Sequence, residues 1–421
     1  MSVAALAPAL ADAARVVSRV AAGRSLTEEL DNAERSTTRA ALLDLTHGTL
    51  RRFGRVQAMV RELSHRGTPD ALVEALLWCS LYALESGRYA SYTVVDQAVR
   101  ACGLLEKWNA KGYVNALLRA SLRERSSLEA RMAGDAEARY QHPAWWIDTL
   151  RRAYPDGWQS VLAAGNSHPP MCLRVNRRRA SVESYCARLA EAGIGARVLG
   201  GAAVLIERPL AVDQVPGFHA GDVSVQDAGA QRAAACLDLH EGQRVLDACA
   251  APGGKSAHLL ETADLDLTAL DADAARLTRL EHNLERLSLR ATVRQADCTR
   301  LADWWSGEPL DRILADVPCS ASGIARRRPD LKWLRRAQDL ASFATRQGAI
   351  LDALWQALRA NGKLLYATCS VFPQENDAVI DAFIARQAGA RRLSLPDGGE
   401  AQWLPNAEHD GFFYALIEKA A

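Results

Sequence analysis

The first third of the chain carries the periodic pattern of amphipathic helices. Apolar side chains recur at intervals of three and four residues over residues 40–60 and 71–84. The second stretch is apolar most of the way round, which is typical of a helix at the centre of a bundle. A break at residues 67–69 precedes this stretch, and Asp70 or Thr68 is a candidate N-cap for it. The pattern predicts an all-α domain over residues 1–140.

The pattern of hydrophobic and polar positions changes between residues 141 and 235. Short β-type runs at 171–175 and 196–206 flank a helical pattern at 181–192. His-Pro breaks at 142–143 and 168–170 punctuate the segment. We expect a small α+β linking module here.

From residue 236 to residue 421, short apolar strands alternate with helical patterns. This order is typical of a parallel, doubly wound α/β sheet, whose ligands bind at the carboxyl ends of the strands. The predicted strands are 244–250, 267–271, 292–297, 311–317, 363–368 and 411–418, and the clearest helices are 274–289 and 337–360.

Composition excludes several classes of protein. With 49% hydrophobic and 24% charged residues, the chain is neither disordered nor fibrous. Nine cysteines without CxxC spacing predict reduced cytosolic thiols and neither disulfides nor a metal site. Pro8 and Asp12 argue against a signal peptide, and no apolar run is long enough to span a membrane. The net charge of +1 does not by itself indicate an acidic partner.

A hydrophobic strand runs into a turn of small residues at positions 245–256. Gly253 and Gly254 allow a close approach to a nucleotide-like ligand, and the following helix start offers free N–H donors. The dinucleotide motif GxGxxG is not met. The P-loop pattern GxxxxGK[ST] is nearly met, but Cys249 replaces its first glycine. S-adenosylmethionine is a third candidate ligand.

Acidic residues at the ends of successive strands favour the third candidate. Asp247 lies in the first predicted strand of this domain, and Asp271 ends the second. The carboxylate of Asp271 can accept hydrogen bonds from ribose hydroxyls. Asp297, after the next strand, can accept from an adenine amino group. Each acid alone is better explained as a helix N-cap. Together at consecutive strand ends, they indicate an adenosyl ligand.

Two cysteines follow two later strands, in Asp316-Val317-Pro318-Cys319-Ser320 and Thr368-Cys369-Ser370. Methylation at C5 of a pyrimidine needs a thiol, because a thiolate that adds to C6 makes C5 nucleophilic. Asp316 is placed to hydrogen-bond N3 and the exocyclic amine of a cytosine. The residues alone leave open which thiol attacks.

These motifs resemble those of the RNA cytosine-C5 methyltransferases, in particular of the bacterial branch that acts on small-subunit ribosomal RNA. The helical stretch Lys111–Arg119 resembles a signature of the NusB family. The motifs that carry the resemblance in the later part of the chain are 173–176, 249–255, 316–320, 368–370, 373–376 and 410–413. The resemblance implies an all-α NusB-like N-terminal domain at 1–140, an α+β linking module at 141–235 and a C-terminal Rossmann-like methyltransferase domain at 236–421.

The resemblance also implies roles for individual residues. Cys369 is then the nucleophile, Cys319 assists release of the product, and Asp316 and Lys255 complete the catalytic set. The implied contacts of S-adenosylmethionine are Cys249, Ala250, Ala251, Pro252, Gly253, Gly254, Lys255, Asp271, Asp297 and Asp316. The implied substrate is a cytosine of 16S ribosomal RNA or of a small-subunit precursor, in the cytoplasm.

A basic cluster follows the Asp316–Ser320 motif, and we predict that it holds phosphates of the RNA. Trp333 within it could stack on an unpaired base. The alternative is a solvated helical face. The cations of the cluster are Arg326, Arg327, Arg328, Lys332, Arg335 and Arg336, and a second group in the linking module is Arg174, Arg177, Arg178 and Arg179.

Other functions remain open from the sequence. The same chemistry could act on transfer RNA. A non-catalytic RNA-binding assembly or antitermination factor would keep the fold without the reaction, and a P-loop enzyme would hydrolyse a nucleotide. The oligomeric state is not determined, with a monomer as the expectation.

Overall fold

The computed structural model describes residues 6–33, 39–64 and 70–421. Their contacts divide the chain into two compact units. The first comprises Met1–His168 together with Ala325–Ala337, and the second comprises Pro169–Ile324 and Gln338–Ala421. The two helices that follow residue 140 belong to the first unit by their contacts, and the boundaries at residues 140 and 235 stay predictions.

The first unit is helical. The predicted pattern over 40–60 corresponds to two helices that break at Arg52, whose N–H bonds to the carbonyls of Gly48 and Thr49. Hydrophobic period alone does not reveal such a break. The helices are α1 (Leu6–Ala21), α2 (Leu26–Asn32), α3 (Arg39–Arg51), α4 (Phe53–Leu63), α5 (Ala71–Ser86), α6 (Ser91–Leu104), α7 (Lys111–Arg123), α8 (Arg125–Met132), α9 (Ala136–Tyr140), α10 (Ala144–Ala153) and α11 (Trp158–Asn166).

Helix α5 is the central helix that the sequence predicted. Its side chains from Ala75 to Ala83 are buried in an unbroken run. Asp70 caps it by accepting a hydrogen bond from the N–H of Leu72 at 3.0 Å. The alternative cap, Thr68, lies outside the described residues.

The segment Ala325–Ala337 completes this helical unit with the short helix α17 (Leu331–Leu334). The ammonium group of Lys332 donates to the carbonyls of Arg51 and Gln141, each at 3.0 Å, and to Oδ1 of Asn166 at 2.8 Å. The indole N–H of Trp333 donates to the carbonyl of Leu50 at 3.0 Å. The fold therefore buries part of a segment that follows a candidate catalytic motif.

The second unit begins with an antiparallel sheet in the order β2-β3-β1-β4. The predicted strand 196–206 is a hairpin, because Gly200 and Gly201 adopt positive φ values and turn the chain. The elements are β1 (Met171–Val175), α12 (Val182–Glu191), β2 (Ala196–Gly200), β3 (Ala203–Ile206) and β4 (Val223–Val225).

The larger sheet of the second unit has the order β10-β12-β9-β8-β5-β6-β7, and β11 pairs with β12. Strands β9, β8, β5, β6 and β7 run parallel, whereas β12 is antiparallel to β9. The strands are β5 (Arg244–Asp247), β6 (Asp266–Asp271), β7 (Thr292–Gln295), β8 (Leu310–Asp316), β9 (Leu358–Thr368), β10 (Ala390–Leu393), β11 (Gln402–Trp403) and β12 (Phe412–Lys419). The helices are α13 (Ala228–Cys236), α14 (Gly254–Thr262), α15 (Ala274–Leu287), α16 (Leu301–Trp304), α18 (Asp339–Ala357) and α19 (Asp377–Arg386).

This topology creates a switch point beside β5. From β5 the chain builds outward through β6 and β7, and then returns to add β8 and β9 on the other side. Ligands of open α/β sheets bind where the strand order reverses, at the carboxyl ends. The predicted combination of a helical domain, an α+β module and a doubly wound sheet is confirmed. Across the described ranges, no helix is both long and apolar enough to cross a membrane.

Candidate active site

The turn between β5 and α14 contains the predicted small residues. Gly253 has a φ of +94°, a conformation that favours glycine. A Cβ at this position would lie 2.9 Å from Cγ of Leu280, so the turn also packs closely against α15. Cys249 begins the turn, and hydrogen bonding with Cys298, together with burial, raises the pKa of Cys249 well above its usual value. Cys249 is therefore a neutral thiol.

Asp247, at the end of β5, is fully buried. It accepts a hydrogen bond from the hydroxyl of Ser256 at 2.7 Å. Burial raises the pKa of Asp247 to about 7, and the nearby charge of Asp316 adds to this effect. This carboxyl group therefore ties the strand to the first turn of α14.

The next two acids lie where the strand ends predict. Asp271 accepts from the N–H groups of Ala251 at 3.2 Å and Asp273 at 3.0 Å, and it pairs with Arg276 at 3.2 Å. Asp297 accepts from the N–H and hydroxyl of Thr299, which lowers the pKa of Asp297. Both carboxyl groups are thus held at the same edge of the sheet.

Lys255 and Asp316 form an ion pair across the mouth of the site, with Nζ 2.7 Å from Oδ2. Burial opposes the charge of Lys255, but Asp316 more than offsets burial and raises the pKa of Lys255. The charge of Cys369 acts in the same direction on this lysine.

The two predicted thiols meet. Sγ of Cys319 lies 3.5 Å from Sγ of Cys369. Cys319 is buried, whereas Cys369 is partly exposed. Hydrogen bonding with Cys369, together with burial, raises the pKa of Cys319 well above its usual value. Cys319 therefore retains its proton, and Cys369 is the more accessible sulfur.

Glu375 joins the loops that carry these cysteines. Its buried carboxylate accepts from the N–H of Ser320 at 2.7 Å and from the hydroxyls of Ser320 at 2.5 Å and Ser370 at 2.7 Å. Asn376 supports the same loop by donating to the carbonyl of Ser370 at 3.0 Å. Glu375 and Asn376 lie in the family-like motif 373–376, but no role was predicted for them. In the sequence they are only a pair of polar residues shortly after a strand end.

The basic cluster does not form a single exposed surface. Lys332 is fully buried and Arg326 is 1% exposed, so neither side chain can reach an RNA phosphate. This corrects the prediction for these two residues, whose side chains pack within the helical unit. Arg327, Arg328 and Arg335 are half-buried, and Arg336 is exposed. In the second group, Arg174 is fully buried and pairs with Glu261 at 2.7 Å.

The geometry fits an adenosyl cofactor. Gly254, where an added Cβ would meet only Nε2 of Gln226 at 3.7 Å, leaves open space at the start of α14, and Oδ1 of Asp247 is a buried acceptor without a hydrogen-bond partner among the described residues. Asp271 and Asp297 offer further acceptors at adjacent strand ends. In contrast, no group of three or more metal-ligating side chains occurs in the described part of the chain.

Comparisons with known proteins agree with this architecture. The model of the family described as 16S rRNA methyltransferase RsmB/F matches residues 234–418. The model of the ferredoxin-like domain of RsmF/B-like methyltransferases matches residues 142–213, and that of the NusB family matches residues 9–123. The NusB-like and Rossmann-like assignments are thereby confirmed.

Individual relatives cover nearly the whole chain. The sequence is 43% identical to ribosomal RNA small subunit methyltransferase B of Pseudomonas putida, over 99% of this chain and 98% of the relative. It is 41% identical to the protein of the same name from Vibrio cholerae, over 94% of each chain. A crystal structure of a methyltransferase homolog protein from Pyrococcus horikoshii superposes with a TM-score of 0.60 at 26% identity, over 68% of this chain and 98% of that one.

Proposed function

The chain belongs to the RsmB/F family of 16S rRNA methyltransferases, and from this premise we propose that it methylates C5 of a cytosine in 16S ribosomal RNA. The cofactor in this proposal is S-adenosylmethionine, which supplies an electrophilic methyl group. Residues 249–255, Asp271, Asp297 and Asp316 would hold it. We further propose that the reaction takes place in the cytoplasm.

The thiol pair carries the proposal. Cys369 attacks C6 of the cytosine as a thiolate, which forms a carbon–sulfur bond and makes C5 nucleophilic. The ammonium group of Lys255 stabilises that thiolate, and the charge interaction between Lys255 and Cys369 supports this role. Asp316 hydrogen-bonds the pyrimidine ring as charge develops on it.

Release requires a second step. Once C5 has taken the methyl group and the demethylated thioether has left, a base removes the proton from C5, which restores the double bond and expels the Cys369 thiolate. In our proposal Cys319 assists this step, and the contact of 3.5 Å between the sulfurs supports its involvement. A partly exposed Cys369 beside a buried Cys319 also supports Cys369 as the attacking group.

Substitution of each thiol tests the assignment. We expect Cys319→Ala to form the bond to C6 but to release product slowly, so that a covalent protein–RNA species accumulates on a denaturing gel. Cys369→Ala should form no such species. Cys186→Ala, which removes a thiol from α12, is the matched control and should turn over normally. The opposite pattern for the two variants would exchange their roles.

The RNA substrate needs a separate measurement. Bisulfite sequencing of total RNA from a deletion strain should lose one mark in 16S ribosomal RNA. Loss of a 5-methylcytosine mark in a transfer RNA instead would show that transfer RNA is the substrate of the same reaction. A wild-type protein that binds no S-adenosylmethionine in calorimetry would favour the non-catalytic assembly factor.

A further inference from the structure

A cavity of about 670 Å³ lies in the second compact unit. Its walls come from β1, the β2–β3 hairpin, α13, α14 and residues 403–409. None of the candidate cofactor or catalytic residues lines it. The volume is within the range of about 300–1,000 Å³ that is typical of sites for small molecules.

One wall of the cavity is aliphatic, and the indole beside it is covered by Arg232 and by His409, whose ring centroid lies 4.5 Å from that of Trp403. Val175, Leu199 and Ala203 contribute aliphatic side chains, and Trp403 contributes an indole. The guanidinium of Arg232 lies 4.2 Å from the centroid of the Trp403 ring, and Asp397 holds that guanidinium through two hydrogen bonds. A planar, weakly polar group fits such a wall.

The charges around the cavity leave a positive excess. Glu261 is neutralised by the buried Arg174 at 2.7 Å, and Glu408 pairs with Arg197 at 2.8 Å. Arg177 and Arg178 also line the cavity, both are exposed, and neither forms an ion pair with a carboxylate among the residues that the structure describes. Guanidinium groups without a paired carboxylate are suited to a phosphate, and Arg178 is held at the rim because its Nε donates to the carbonyl of Glu261 at 3.2 Å.

Two buried polar atoms behind the cavity wall have no hydrogen-bond partner in the described structure. Gln231 uses its amide N–H group on the carbonyls of Leu173 and Gln226, while its Oε1 has no partner in the described structure. Nδ1 of His258 has no partner there either. Burial and the charge of Arg174 lower the pKa of His258, so its neutral ring offers one donor and one acceptor.

We propose that this cavity binds a nucleotide, with the base against the apolar wall and the phosphate at Arg177 and Arg178. Two sources share this chemistry, an unpaired nucleotide of single-stranded RNA and a free 5′-mononucleotide. The inference that the cavity binds RNA rests on the proposed function, whereas the inference that it binds a free nucleotide does not. Occupation by RNA would give the protein a second contact with its substrate, outside the site of methyl transfer.

Two substitutions in the full-length protein test the proposal. Ala235 is exposed on α13 and lines the cavity, so Ala235→Phe fills the space without disturbing the core. Arg177→Glu reverses the charge at the rim. The matched controls are Ala382→Phe on the exposed face of α19 and Arg290→Glu, which lie outside the cavity lining.

Equilibrium binding of AMP and of a short single-stranded oligoribonucleotide is measured for each variant, in wild-type and Cys369→Ala backgrounds. We expect both cavity variants, but neither control, to weaken the binding of at least one probe by about tenfold or more. An effect on the oligoribonucleotide alone identifies RNA as the source, and an effect on AMP alone identifies a free nucleotide.

The proposal is overturned if both probes fail to bind, or if Ala235→Phe and Arg177→Glu leave the binding of both unchanged. This outcome is distinct from failure of the proposed function. Binding at the cavity is measured without methyl transfer, and loss of the cavity site would leave the covalent species of Cys319→Ala intact.

Discussion

Cys319 and Cys369 carry the same functional group in different surroundings. Packing buries Cys319 and favours its neutral form, while Cys369 lies partly exposed and interacts with the charge of the half-buried Lys255. The sequence motifs identified both residues as candidate catalytic thiols, but they did not show which of the two attacks the pyrimidine. Accessibility and local charge distinguish them, and both are properties of the folded chain.

A prediction at the residue scale concerns Asp247. Its pKa is raised from 3.8 to about 7, so between these values the folded chain holds a proton that the unfolded chain has released. The free energy of unfolding should therefore fall as pH rises through this range, by up to about 1.4 kcal/mol per pH unit. Asp247→Asn should lack this contribution.

The measurement is the difference in urea-unfolding free energy between wild type and Asp247→Asn as a function of pH. We expect the difference to decline from about pH 4 to about pH 7 and to be flat above. Asp264→Asn, which changes an exposed carboxyl group of the same unit, should give no such slope. A difference that is independent of pH would contradict the assignment.

At the scale of elements, the junction from strand to helix organises the site. The predicted strands 267–271 and 311–317 correspond closely to β6 and β8. Each is a short apolar run between polar turns, and such a run defines where the strand begins and ends. The third strand, predicted to reach residue 297, ends at Gln295 as β7. Asp297 therefore lies in the following turn, where its bonds to Thr299 are formed.

Gly253 provides a test of this junction. Gly253→Ala puts a side chain at a φ of +94° and against Leu280, so we expect a loss of about 1–3 kcal/mol in unfolding free energy. Gly254→Ala is the control, because its Cβ would meet only Nε2 of Gln226, at 3.7 Å. Its effect should stay within about 0.5 kcal/mol. Urea unfolding compares the two, and equal losses would show that the turn is not strained.

At the scale of the whole molecule, the chain does not divide into consecutive pieces. The segment Ala325–Ala337 comes from the methyltransferase part of the sequence but packs within the helical unit. Burial, together with the charge of Arg51, lowers the pKa of Lys332 well below its usual value. A lysine held by two carbonyls and an amide is a structural donor, and this explains why a basic run is not simply a surface for RNA.

Removing this segment should lower the melting temperature of the helical unit. We expect a fragment of residues 1–168 to melt at a lower temperature than the same unit in the full chain, and a peptide of residues 325–337 to raise that temperature by binding. Circular dichroism follows the transition as peptide is added. A peptide with Lys332→Met and Trp333→Ala should stabilise less, since it lacks the bonds to Arg51, Gln141 and Leu50. No effect of either peptide would contradict this role.

Local sequence patterns were sufficient to predict the order of helical and α/β parts and the acids and thiols at the strand ends, because hydrophobic period and strand ends are local properties. The folded chain was needed to show which cations are exposed, that Glu375 bridges the two cysteine loops, and that Ala325–Ala337 joins the helical unit. Burial and long-range contacts depend on where distant segments meet, and a periodic pattern carries no information about that.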